Sequence, residues 1–394
     1  MIADSFPPLR TSCAVQLRDL SLEFVRQGHA VTVLLPSKEI QTPYLLENFD
    51  GVEVLWLKLP VKKSSGYVHR ALHELIMPFA MLRRFQKSPL ASESWDGIVW
   101  YSPSIFHGPL ASFLKRRSDC KGYLIIRDIF PDWAVDLGLM GRRGLPYLFF
   151  NAFANYQYAV SDVIGVQTQG NCKYFSRWEL QPGRKLEVLP NWLDKPAKVK
   201  CSIRLNETQL AKRKVFVYAG NMGIAQGMDI LLDLAEKLQY RKDVGFIFVG
   251  RGSEASRLKL IALERKLDNV LFFGEINPDE IPDLYKQCSV GIVALDPRHK
   301  SHNIPGKFLT YMSGSLPVLA NVNMGNDLAQ LIRDEQVGQV CENNNLSELF
   351  DLANKLLNQI DAESDDLENR CNVLFERKFS VHKIARQITA ALVS

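Results

Sequence analysis

The chain has 394 residues, 46% of them hydrophobic and 23% charged. That length calls for two or more domains, and that balance excludes a disordered or fibrous chain. The net charge of +5 sits in the first half: residues 1–190 carry 22 Lys and Arg against 17 Asp and Glu, and residues 191–394 carry 26 of each. An acidic partner is therefore expected for the first half, and nucleic acid for neither.

The seven cysteines (13, 120, 172, 201, 288, 341 and 371) include no CxxC pair and are widely spaced. They read as reduced thiols of a cytoplasmic protein, with neither a disulfide framework nor a zinc site. No signal peptide is evident. The most apolar runs, LIMPFAML and LPYLFFNAFA, fall well short of the roughly 20 residues of a spanning helix.

In chain order, short apolar runs rich in β-branched and aromatic residues alternate with helical stretches. In the first half they are AVTVLLP (30–36), VEVLWLKL (52–59), GIVWYS (97–102), GYLIIRD (122–128) and DVIGVQT (162–168). In the second they are KVFVYAG (214–220), GFIFVG (245–250), NVLFFGE (269–275), VGIVAL (290–295) and LPVLAN (316–321). Continuous apolar strands of this kind suit parallel sheets covered on both faces. The pattern predicts an α/β protein with two doubly wound, Rossmann-like domains facing a cleft. The first spans 1–190 and the second 191–378. The linker is expected within LEVLPNWLDKPAKVK (186–200), and a last amphipathic helix (379–394) packs back on the first domain. Only Met1–Ala3 remain for a strand before the loop DSFPPLRTS, short of the usual ~5–6 residues. The natural protein is accordingly expected to start upstream.

Three glycine turns follow strands of the second half. NMGIAQG (221–227) comes after FVYAG, so Gly220, Gly223 and Gly227 permit a tight turn and close approach of a ligand. FVGRGSE (248–254) places Arg251 between two glycines, and FFGEI (272–276) ends a third strand. The competing reading of NMGIAQG is a tight strand-to-helix turn without a ligand, and that of Arg251 is a solvated arginine. There is no GxGxxG and no GxxxxGK[ST], which removes the main support for a nicotinamide dehydrogenase or a P-loop NTPase. In HNIPGKFLTYMSGSLPVLA (302–320), Pro305 suits a helix start, Gly306 leaves room, and Lys307 adds a full charge to the helix N-terminus. The competing reading of Lys307 is a lysine whose stem runs out from a buried helix. Together the three residues make a site for a diphosphate.

Taken together, FPP near the start, RDIFPDWAVDLGLM (127–140), VLPNWLD (188–194), YAGNMGIAQGMDILL (218–232), FVGRGSE, LDNVLFFGEI, VGIVALDP and IPGKFLTYMSGSLPVLA resemble, in order, a GT-B glycosyltransferase of family 4. They resemble especially the branch that builds bacterial O-antigen and capsule sugars. HNIPGKFLTYM and GNDLAQLI point to a subgroup that includes N-acetylfucosamine transferases. The resemblance implies a retaining, metal-independent transfer from a UDP-sugar, without a cofactor, to a polyprenyl-diphosphate-linked saccharide. It implies donor contacts from Gly220, Asn221, Gly223, Gln226, Gly227, Arg251, Asn303, Pro305, Gly306, Lys307 and Thr310, with Ile276 facing the base. His107 is expected to face the donor sugar. Arg127 and Asp132 are acceptor-binding candidates, and Asp128 joins His107 and Lys307 as a catalytic candidate.

The chain departs from that family in places. Its Glu-x7-Glu positions read His302 and Thr310, and the usual Arg and Lys of the phosphate loop read Asn221 and Gln226. The rivals are a GT-B nucleotide-sugar epimerase and a non-catalytic sugar-nucleotide binder. Residues 58–87 hold seven Lys and Arg against Glu74 alone, mixed with apolar residues, and GRRGLPYLFFNAF (141–153) repeats the mixture. Both stretches read as contact with an anionic membrane, on the inner face of the plasma membrane, or else as solvated basic helices with an apolar core face.

Overall fold

The computed structural model describes residues 1–9, 11–59, 67–102, 104–136, 138–194, 199–296 and 303–393, with the side chains of 67–74 and 136 left aside. The chain forms two compact units, Met1–Pro190 with Val381–Ser394, and Asn191–Ser380.

The strands of the first unit are β1 (Thr32–Ser37), β2 (Tyr44–Phe49), β3 (Val52–Lys58), β4 (Gly97–Tyr101), β5 (Lys121–Ile126), β6 (Val163–Val166) and β7 (Lys185–Val188). They form two ladders, β2-β3-β1 and β4-β5-β6-β7. The residue that joins them is Ile2, which bridges Leu34 and Trp100 in parallel. Its N–H donates to Val99 O at 2.8 Å, and its carbonyl accepts from Tyr101 N at 3.2 Å. Met1–Ala3 therefore serve as the central rung of a continuous sheet. Among the described residues β2 is the one antiparallel strand, with alternating exposure, and it blunts the edge.

In the second unit, β8 (Lys214–Ala219), β9 (Val244–Val249), β10 (Val270–Phe273), β11 (Val290–Ala294), β12 (Val318–Asn321) and β13 (Gly338–Cys341) form an all-parallel sheet in the order β10-β9-β8-β11-β12-β13. β9 and β11 are buried along their whole length, as expected of strands covered on both faces. The order reverses between β8 and β11, which makes their C-terminal ends the switch point where ligands bind in such sheets. The expected α/β class with two doubly wound sheets is what the chain adopts.

Three strands, β2, β7 and β13, lie outside the apolar runs. β7 occupies the start of the stretch expected to be linker, and residues 195–198 of that stretch lie outside the described residues. The final helix, Val381–Val393, belongs to the first unit. There His382 Nδ1 lies 2.7 Å from Glu23, and Gln387 Nε2 donates to Val188 O at 2.9 Å. No helix among the described residues is long and apolar enough to cross a membrane.

Candidate active site

In the second unit, three loops converge at the switch point. The loop after β8 contains one turn of 3-10 helix, Ile224–Gln226. It reaches the end of β11, where Asp296 N donates to Ala225 O at 2.9 Å. A Cβ on Gly227 would lie 3.2 Å from Asp296 Cα. The loop after β9 locks onto the same loop: Met222 N donates to Arg251 O at 2.7 Å and Glu254 N to Met222 O at 2.9 Å. This seating requires glycine. Gly250 and Gly252 have φ of +140° and +152°, and a Cβ on them would lie 2.1 Å from Gly220 O and 2.2 Å from Met222 O.

Asn221 and Gln226, which replace the expected cations, close the loop on itself. Gln226 Oε1 accepts from Gly223 N at 2.9 Å and from Asn221 Nδ2 at 3.4 Å. They rigidify the turn and contribute no charge.

The charge comes from the helix Gly306–Ser313, for which Pro305 is the N-cap. Tyr311 anchors this helix in the sheet, its hydroxyl 3.1 Å from both Val217 O and Ile292 O, where its single proton can serve either carbonyl. One turn earlier, Lys307 Nζ stands 3.5 Å from the centroid of the Tyr218 ring. A Cβ on Gly220 would be 3.6 Å from that ammonium. Tyr218 Oη in turn donates to Asn221 O at 2.6 Å, so one side chain ties the lysine to the loop after β8. Burial lowers the Lys307 pKa from the ordinary lysine value to about 7, and no acid among the described residues opposes the shift. Lys307 keeps part of its surface open. A Cβ on Gly306 would meet nothing within 4 Å.

Of the other residues expected around a donor, Thr310 Oγ1 donates back to Gly306 O at 3.3 Å within its own helix. Arg251 turns outward and pairs with Glu275 at 3.4 Å, so its charge is partly committed. Ile276 is half-buried against the core of the unit, and Asn303 is half-buried beside the helix start. His302 lies outside the described residues. Asn191, a residue the motifs did not single out, is buried and donates from Nδ2 to Ile304 O at 3.1 Å, which fixes the approach to the Lys307 helix.

The first unit has its own polar cluster at the strand ends. His107 is fully buried, and its Nε2 lies 3.0 Å from the Asp4 carboxylate, off the line of a hydrogen bond. The two residues follow Ile2 and β4, the neighbours between which this sheet reverses its order. Tyr101 Oη donates to Gln16 Oε1 at 2.7 Å. Cys13, near Asp4, Ser5 and Tyr101, has its thiol pushed up to about 11 by burial. Asp128 is raised above the ordinary carboxylate value by burial, partly offset by the neighbouring Arg127, and an exposed edge leaves it reachable. Arg127, expected to bind acceptor, is buried and donates to Leu189 O at 2.8 Å and Pro190 O at 3.3 Å. It holds the end of the first unit's main chain. Asp132 accepts from Tyr147 Oη at 3.3 Å and pairs with Arg142 at 3.5 Å. Asp4, Gln16 and Tyr101 carry no motif and become visible only when the strands assemble.

Residues 213–359 match the family described as Glycosyl transferases group 1. Over 328 residues the chain is 23% identical to the Probable glycosyltransferase WbjE of Pseudomonas aeruginosa, covering 81% of this chain and 79% of that one. It is 24% identical over 336 residues to the Putative colanic acid biosynthesis glycosyl transferase WcaI of Escherichia coli K12, covering 80% and 79%. Among solved structures it is similar to WaaG, a glycosyltransferase involved in lipopolysaccharide biosynthesis, with a TM-score of 0.65 at 14% identity over the whole of both chains. It is also similar to an E. coli structure described as trehalose-6-phosphate bound with UDP-2-fluoro glucose, with a TM-score of 0.72 at 10% identity over 99% and 98% of the two chains. The fold is GT-B.

Proposed function

We propose that this glycosyltransferase moves a sugar from a UDP-sugar to a lipid-linked saccharide, with retention at C1, in the manner of family 4. The observation that carries the reading is Lys307. Its ammonium is held beside Gly220 at the switch point of the second unit, with no acid partner among the described residues. A desolvated cation at a helix N-terminus, beside an open glycine, is suited to a diphosphate.

In the proposed step the acceptor hydroxyl oxygen bonds to C1 from the face the diphosphate leaves. The C1–O bond to the diphosphate breaks, and the acceptor proton passes to the departing phosphate oxygen. No protein nucleophile takes part. Lys307 and the amides of its helix stabilise the charge that grows on the leaving group. The loop after β8, stiffened by Gln226, presents its backbone to the phosphates. On the first unit, Asp128 serves the acceptor side, and His107, beside the Asp4 carboxylate, is the group proposed for the donor sugar.

The names of the relatives support a place in lipopolysaccharide or exopolysaccharide assembly. N-acetylfucosamine is the sugar proposed, on the likeness of HNIPGKFLTYM, and a polyprenyl diphosphate is the proposed acceptor carrier. The enzyme would then work in the cytoplasm, against the inner face of the plasma membrane.

Thermal stabilisation by a panel of UDP, GDP, TDP, CMP and NAD tests the donor site. Stabilisation by UDP that is lost in Lys307→Ala supports the reading. Stabilisation by another nucleotide would change the donor, and stabilisation by none would leave the transferase reading without its site.

A further inference from the structure

The helix Leu145–Val160 in the first unit is built the wrong way round for water. Its 16 residues include no charged side chain. Its exposed positions are 145, 146, 148, 149, 152, 155, 156 and 159, and they read Leu, Pro, Leu, Phe, Ala, Asn, Tyr, Ala, with Asn155 the one polar amide among them. Leu145 is 82% exposed, Leu148 52% and Phe149 39%. The inner side, by contrast, buries the polar Gln157. A helix that turns leucine outward and glutamine inward is not facing bulk water.

The apolar surface extends beyond this helix. Leu75 of the helix Tyr67–Phe85 packs in one cluster with Phe150 and Phe153, and on that helix Ile76 and Phe79 are exposed. Within the stretch itself the charge has one sign. Between 137 and 160 the charged residues are Arg142 and Arg143, both exposed, with no acid. Arg142 pairs with Asp132 at 3.5 Å from outside that stretch.

We infer that the helix Leu145–Val160 lies in the plane of an anionic lipid surface. Leu145, Leu148 and Phe149 enter the acyl boundary, and Arg142 and Arg143 meet the headgroups. The helix is about 24 Å long, too short and too polar at its far end to span, but of the size that lies along an interface. Arginines at its N-terminal approach match negatively charged headgroups and disfavour a second copy of the same basic face. The inference rests on the reading that the acceptor is lipid-borne, and it places that acceptor's membrane against this side of the first unit.

The test is flotation of the full chain with vesicles of phosphatidylethanolamine and phosphatidylglycerol, beside vesicles of phosphatidylcholine alone. Wild type should float with the anionic vesicles, and Leu145→Glu/Leu148→Glu should reduce binding about tenfold or more. Arg142→Gln/Arg143→Gln should reduce it as well. Both leucines are exposed, so the glutamates should not disturb folding. As a readout independent of those variants, Leu148→Trp should shift its emission to the blue on adding anionic vesicles. No flotation, or flotation that the glutamate variant leaves unchanged, would overturn the inference. So would a dimer in sedimentation velocity that the glutamate variant dissociates, because a second copy would then be the occupant. UDP binding without vesicles is measured alongside: its absence sinks the donor-site reading and not this one, and loss of flotation with UDP binding intact does the reverse.

Discussion

The ammonium of Lys307 stands 3.5 Å above the centre of the Tyr218 ring, and the Tyr218 hydroxyl reaches on to Asn221 O at 2.6 Å. The ring face attracts the cation by about 0.5–2 kcal/mol, and the hydroxyl fixes the ring against the loop that should cradle the phosphates. Lys307→Met should weaken UDP binding by roughly tenfold to a hundredfold, the range of a charge-assisted hydrogen bond. Tyr218→Phe, which keeps the ring, should cost about threefold or less, and Tyr218→Leu should approach Lys307→Met. Titration calorimetry of UDP against the three variants checks the order. Equal effects of Phe and Leu would remove the ring from the account.

The pH dependence follows from the same pair. Burial sets the free-enzyme pKa of Lys307 at about 7. The diphosphate favours the charged form, so UDP affinity should be highest below pH 7 and fall as the pH rises through it. Above pH 7, binding should take up a proton, which calorimetry in buffers of different ionisation enthalpy detects. The effect on stability has the opposite sense. The unfolded lysine holds its proton up to about pH 10.4, so between the two values the unfolded state binds more protons and this group's contribution to stability rises with pH. The cost of burying the charge is full below pH 7 and gone above the unfolded value. Lys307→Met should remove that rising component from denaturation measured across the window. A flat UDP affinity from pH 6 to pH 8.5 would contradict the assignment.

Two kinds of glycine should behave differently. Alanine at Gly250 or Gly252 meets carbonyl oxygen at 2.1 and 2.2 Å in a backbone region alanine avoids. Each should destabilise the second unit by more than about 2 kcal/mol, seen in chemical denaturation. Gly306→Ala meets no atom of the chain. It should leave stability within about 0.5 kcal/mol and weaken UDP binding, because the open space is where the ligand comes close.

The first unit offers a separate control. Asp4 lies 3.0 Å from His107 Nε2, in a different unit from Lys307. Asp4→Asn should lower turnover by about tenfold or more while UDP affinity changes by less than about twofold. Steady-state kinetics with a calorimetric UDP measurement separate the two. An equal loss of both would mean that Asp4 acts through folding.

The long apolar strands were legible because burial on both faces leaves no alternative composition. β2, β7 and β13 were not, for a physical reason. β2 alternates like a surface strand, and KLEV and GQVC are four-residue edge strands with polar members. The glycines of FVGRGSE signalled a turn, but only the packed loops show that Gly250 and Gly252 admit Gly220 O and Met222 O. Lys307 stood out because a charge at a helix start is a local signal. Tyr218, Asn191 and Asp4 did not, because each acts on a group brought close only by the fold: 89 residues separate Tyr218 from Lys307, 113 separate Asn191 from Ile304, and 103 separate Asp4 from His107. The charge of Arg127 gave no hint that main-chain carbonyls of Leu189 and Pro190 would take it.

The most direct test of the central claim is release of UDP from a panel of UDP-sugars, followed with and without membrane lipid extract as the source of acceptor, for wild type and Lys307→Met. The account predicts release that depends on the acceptor extract, for one or a few sugars, with the anomeric configuration of the donor kept in the product and turnover lost in Lys307→Met. Interconversion of the UDP-sugar without acceptor, or saturable UDP-sugar binding with no release under either condition, would contradict it.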